Sequence, residues 1–182
     1  LHDALPIFFA SIKGFTRLSD EDDAHKLIDD LDHFFLQIDY ILKKYNIEKT
    51  SSVGDTLMLT GGIPQKNRTN PIEMILAAFE IREELEKFQN ALFGPEKRIW
   101  QIAMGIHTGP VVAQPSGKKK IVYEIKGETV NIASRIEAAS ESGKIIISET
   151  TRELVESYFQ CHFASKIPVK YMGDVSLFEA KR

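Results

Sequence analysis

The sequence contains a single cysteine, Cys161, among its 182 residues. That excludes an internal disulfide, and one isolated cysteine is ordinarily a small buried apolar side chain, so no chemistry is assigned to it. An excess of basic charge is also missing. Its 23 Lys and Arg stand against 26 Asp and Glu, a net charge of -3 that offers no general field for nucleic acid. No apolar run is long enough to cross a bilayer and no signal-peptide pattern opens the chain, so no membrane contact is expected of this segment. Repeats, low-complexity tracts and linkers are absent too. What remains is a chain with 43% hydrophobic residues, enough for the core of one domain.

Periodicity divides that domain into interleaved strands and helices. Leu1 to Ile7 fits badly as the start of a strand because Asp3 and Pro6 interrupt it. It is read as a non-native or linker segment, similar to translated adaptor or vector sequence, with the domain proper at residues 8–182. Phe8 to Ile12 then reads as a short buried strand running into Gly14. Ser19 and Asp22 form a capping-box pattern before a long amphipathic helix with Leu27, Leu31, Phe34, Phe35, Ile38, Ile41, Leu42 and Tyr45 as its apolar positions. Ile47–Val53 and Thr56–Leu59 flank Gly54-Asp55 as a hairpin, with Asp55 at its tip. Asn70-Pro71 starts a second helix.

Trp100 to Ile106 alternates as a strand, expected to break at Gly109-Pro110 before a further short run at Val111 to Ala113. Lys118, Lys119 and Lys120 precede a strand ending at Ile125, where three lysines at a hairpin tip commonly serve solvation and edge protection. A strand at Lys144–Ile147, a short helix from Glu149 and two closing strands around Tyr158–Phe163 and Val175–Phe178 complete the chain. This order of elements is that of one α/β (α+β) domain.

The stretch GETVNIASRIE, residues 127–137, stands out. On a helix, Asn131 and Arg135 lie at i and i+4 and share a face, while Val130, Ile132, Ala133 and Ile136 gather opposite. An amide beside a guanidinium suits a ligand whose charge develops on oxygen, such as a phosphate being transferred. Taken alone, the stretch fits equally an ordinary amphipathic helix with a solvated polar face, the commoner case for a single motif.

Five blocks in order settle what the stretch is similar to. FFASIKGFTRLS, IEKTSSVGDTLM, MGIHTGPVVA, YEIKGETVNIASRIE and IPVKYMGD together resemble the catalytic domain of class III adenylate and guanylate cyclases, from about Phe8 to Phe178. The resemblance implies a ferredoxin-like βαββαβ core with C-terminal additions. It implies a reaction in which the ribose 3' hydroxyl of a nucleoside triphosphate attacks its own α-phosphorus and pyrophosphate leaves, with Mg2+ or Mn2+ as a two-ion cofactor. It further implies a head-to-tail dimer, one chain giving the metal carboxylates and the other the Asn and Arg.

Carried over residue by residue, the resemblance makes Asn131 the group that orients the ribose and Arg135 the one that stabilises charge on the α-phosphate. Lys170 corresponds to the lysine that contacts the triphosphate, Asp55 to the second metal carboxylate and the Ile12 backbone carbonyl to a further metal ligand. Ser11 stands where the first metal carboxylate is expected. A neutral hydroxyl is a poor ligand for a hard divalent cation, so one ligand and roughly a thousandfold or more in rate are expected to be lost. Ser51 stands where adenylate cyclases carry a base-reading lysine, and Glu124 where they carry an aspartate. The guanylate pattern, with Glu at the first of these positions, is not present, and Glu124 favours ATP.

The expected function is therefore a nucleotidyl cyclase, cAMP-forming by preference, weakened at Ser11. The alternatives are a non-catalytic pseudo-cyclase partner and a nucleotide-binding regulatory domain without turnover. Either a homodimer or a heterodimer with another cyclase domain fits, and the expected location is cytoplasmic, including as the output domain of a longer, membrane-anchored chain.

Overall fold

The computed structural model describes residues 2–14, 24–53, 56–65, 70–96 and 100–182, without the side chains of 2–3, 24–27 and 51–53. Its elements are β1 (His2–Lys13), α1 (Ala24–Lys44), β2 (Ile47–Val53), β3 (Thr56–Gly61), α2 (Asn70–Phe93), β4 (Gln101–Ser116), β5 (Val122–Lys126), α3 (Glu128–Ala138), β6 (Ile145–Ser148), α4 (Glu149–Val155), β7 (Gln160–Val169) and β8 (Gly173–Lys181). The first six described elements form the βαββαβ unit, with strands ordered β2-β3-β1-β4, as a ferredoxin-like core requires. The additions extend the sheet through β6, parallel to β4, and then β8 and β7, while β5 pairs with the far end of β4.

Alternation along β1 assigns the two faces of the sheet. Phe8, Ala10 and Ile12 join Phe34, Phe79 and Trp100 in the main core, under α1, α2 and α4. Leu5 and Ile7 point the other way, into a smaller cluster that includes Ala133 of α3. Three helices thus cover one face and α3 covers part of the other. A buried amide closes the main core at the foot of α2. Gln89 Nε2 donates to the Trp100 carbonyl at 2.9 Å, and its Oε1 accepts from Trp100 N at 2.8 Å.

Several expectations change. β1 does not begin at Phe8 but runs from His2, and Pro6 lies within it, opposite Thr108. Pairing with β3 starts only at Ile7, so Pro6 sits beyond the end of that ladder, where a missing N–H costs little. β4 is not broken at Gly109-Pro110 either. It continues to Ser116, and Pro110 falls where the β1 ladder shifts register between His2 and Leu5. β7 reaches Val169 through Pro168, which an edge strand tolerates. Phe35, expected on the buried face of α1, is exposed, while Phe34, Ile38, Ile41 and Leu42 carry the packing. The capping residues Ser19 and Asp22 lie outside the described residues.

Candidate active site

α3 follows β5 after the single residue Gly127, whose φ of 136° lies outside the range that L side chains readily adopt. The helix is buried on Thr129, Ile132, Ala133 and Ile136; Thr129 joins the face expected from the apolar spacing, and Val130, expected on it, is only partly buried. Two glycines of β4 let it sit close. A Cβ at Gly109 would stand 2.4 Å from Thr129 Oγ1, and one at Gly105 would stand 2.4 Å from the backbone N of Glu137. Four strand residues span about 13 Å and eight helical ones about 12 Å, so α3 runs along β4 with one glycine under each end. Thr129 Oγ1 donates to the Pro110 carbonyl at 2.8 Å and fixes the first turn.

With that face held, Asn131 and Arg135 are left on the exposed one. Asn131 Nδ2 approaches Glu128 Oε2 at 3.5 Å, the long limit of a hydrogen bond, and Arg135 has no ion-pair partner among the described residues. Lys170 lies in the β7–β8 turn, exposed, with Nζ 5.2 Å from the centre of the Tyr171 ring. Val169, immediately before it, packs with Ile132 and Ile136 of α3. The Lys170 turn thus adjoins α3 through Val169, while Asn131 and Arg135 share the exposed face of that helix.

The positions expected to hold metal are Ser11, Ile12 and Asp55. Ser11 pairs with Thr56 of β3 and Ala103 of β4, and alternation places it on the α3 face of the sheet, two strand residues beyond Gly105. It is 5% exposed, and its Oγ lies 2.8 Å from Thr56 Oγ1. A buried neutral hydroxyl already committed to a second hydroxyl does not fit a divalent cation. Ile12 is buried beside it in β1. Asp55 lies outside the described residues, as do the side chain of Ser51 and the tip of the β2–β3 hairpin. Among the described residues no group of three His, Cys, Asp or Glu is placed to hold a metal. Glu124 stands exposed on β5, ion-paired with Lys126 Nζ at 3.2 Å.

Comparison with known proteins decides the family. The model of the adenylate and guanylate cyclase catalytic domain matches residues 1–179. The chain belongs to this family. The cyclase domain is 31% identical over 172 residues to the receptor-type guanylate cyclase gcy-8 of Caenorhabditis elegans, covering 92% of this chain and 15% of that protein. It is 34% identical over 157 residues to the germination-specific adenylate cyclase of Dictyostelium discoideum, covering 84% of this chain and 18% of that one. Among solved structures, the adenylyl cyclase CyaB from P. aeruginosa superposes with a TM-score of 0.86 at 29% identity, covering 99% of this chain and 94% of that one. The cyclase domain thus spans less than a fifth of the length of these two curated relatives.

Sequence reasoning did not find the groups that seat the site. Gly105, Gly109 and Thr129 stand inside two of the quoted blocks, but their role depends on which strand α3 covers. The hydroxyl partner of Ser11 is 45 residues away in the chain and is set by β1–β3 register. A buried polar network also lies behind the flank. His107 Nδ1 lies 2.7 Å from Ser148 Oγ, the cap of α4, and Thr108 Oγ1 lies 2.8 Å from Thr151 Oγ1. Burial pushes the His107 imidazole down to about 4, so it is neutral at physiological pH. Burial also pushes the Cys161 thiol up.

Proposed function

We propose that this domain forms a 3',5'-cyclic nucleotide, cAMP by preference, and pyrophosphate from a nucleoside triphosphate, slowly when paired with itself. The observation that carries the reading is the α3 flank. Asn131 and Arg135 project from a helix whose other face is held against β4. In the reaction, the ribose 3' oxygen bonds to the α-phosphorus, the bond from that phosphorus to the bridging oxygen of the β-phosphate breaks, and the 3' hydroxyl proton is released. Arg135 meets the charge that grows on the α-phosphate oxygens, Asn131 orients the ribose and Lys170 holds the triphosphate. Divalent cations, when bound, neutralise the triphosphate and activate the hydroxyl. Mg2+ or Mn2+ belongs to the proposal only through Asp55 and the Ile12 carbonyl, since the Ser11 hydroxyl does not fit one.

The two halves of the site come from different chains in this reading, and the location is cytoplasmic, where triphosphates are plentiful. A second reading has its own support. The buried Ser11–Thr56 hydroxyl pair favours a helper role, in which the domain lends its α3 flank to a cyclase chain that keeps both carboxylates.

Purified protein assayed with ATP or GTP and Mn2+, alongside Ser11→Asp, separates the two. Cyclic nucleotide from the unmodified protein supports the cyclase reading and excludes the helper, and Ser11→Asp is expected to raise the rate roughly a thousandfold. If neither turns over alone, but a mixture with a competent cyclase gains activity that Arg135→Ala removes, the helper reading stands. Inactivity in every combination overturns both.

A further inference from the structure

Next to the helix that carries Asn131 and Arg135 stands a charged pair, Glu124 and Lys126. On β5, Tyr123 and Ile125 turn inward to the smaller core, so alternation sends Glu124 and Lys126 outward together. Register adds two neighbours on that outer face, since Val112 lies opposite Lys126 and Gln114 opposite Glu124. Val112 is an exposed apolar side chain, 39% accessible. The hairpin thus shows an apolar spot bordered by an ammonium, a carboxylate and an amide, at the strand that leads directly into α3. β5 also lies against β2, the strand of Ser51.

Stability is a poor explanation of the pair. Both side chains are more than half exposed, and exposed ion pairs contribute little to folding. Recognition is a better one. The edge of adenine presents a ring acceptor, N1, beside an exocyclic amino donor, N6. An ammonium beside a carboxylate is its complement. Guanine presents two adjacent N–H donors, which call for both oxygens of a carboxylate. Here Oε1 of Glu124 already meets the Lys126 ammonium, so a guanine N–H at that oxygen would share it with the ammonium, whereas an adenine edge meets both groups of the pair.

We infer that Lys126 is a specificity-determining residue that donates to adenine N1 while Glu124 accepts from the N6 amino group and Val112 underlies the ring. It supplies from β5 the positive donor that Ser51 cannot supply from β2. The inference rests on the cyclase reading above, and binding measurements separate the two.

The test titrates fluorescent analogues of ATP and GTP, with Mn2+, into the unmodified protein, Lys126→Met and, as a matched loss of charge, Lys119→Met. Expected is a loss of about tenfold or more in affinity for the ATP analogue on Lys126→Met. The GTP analogue should change far less, and Lys119→Met should change neither. Equal losses for both analogues, or none, would overturn the inference and leave the cyclase reading standing. Failure of the unmodified protein to bind either analogue would overturn both. Where the protein turns over, the same variant should raise KM for ATP more than it lowers kcat.

Discussion

The α3 flank and the β1–β3 flank carry the two halves of one expected site, and they are built in opposite ways. On α3, Thr129, Ile132, Ala133 and Ile136 pack against β4, whose Gly105 and Gly109 allow the close approach, and the polar pair Asn131 and Arg135 is left outside, exposed. On β1, the expected ligand position is itself inside. Ser11 is buried and satisfied by Thr56, so the position has become part of the sheet's own packing. A functional group that is free can act on a ligand, whereas one that already has a partner must first lose it. The α3 pair is thus exposed and available to a ligand, whereas Ser11 is buried and already hydrogen-bonded.

Removing Arg135 gives the largest effect that would break this contrast. In Ser11→Asp protein, or in a mixture with a competent cyclase, Arg135→Ala should lower kcat by about a hundredfold or more, with an unchanged melting temperature. A smaller loss would show that the exposed pair is a solvated face and nothing more.

The support behind α3 is expected to respond to pH. The folded His107 stays neutral down to about 4, while the unfolded chain takes up a proton below about 6.5. Protons therefore favour unfolding in this window, and stability should fall by up to about 3 kcal/mol as pH drops from 6.5 to 4. Denaturant titrations at several pH values check this, and His107→Gln should remove that part of the slope.

Gly105→Ala sharpens the comparison at the close approach between β4 and α3. Its new methyl would meet the Glu137 backbone, and about 1–3 kcal/mol should be lost in denaturant unfolding. Activity should fall with it, because the helix that carries Arg135 must move. The smallest effect belongs to Thr129→Val, which loses the bond to the Pro110 carbonyl and should cost about 1 kcal/mol.

Much of the architecture was legible because it rests on short-range geometry. The β2–β3 hairpin, the second helix after Asn70-Pro71 and the buried face of α3 follow from periods of two and 3.6 residues. The errors fall where a local breaker was answered by a distant partner. Pro6 and Pro110 look like ends of strands, yet both lie in strands because the neighbouring ladder stops or shifts beside them. Phe35 shares the apolar character of Phe34, but only one of them faces α2.

Spacing and residue type alone place Asn131 and Arg135 on one helical face and leave Ser11 without charge. What those facts mean depends on packing between distant segments. That packing seats α3 on Gly105 and Gly109, brings the Lys170 turn beside it, closes Ser11 on Thr56 and sets Lys126 against Glu124. Each of these depends on strand register and on which face of the sheet an element covers. Such relations arise between segments far apart in the chain, and local periodicity does not encode them.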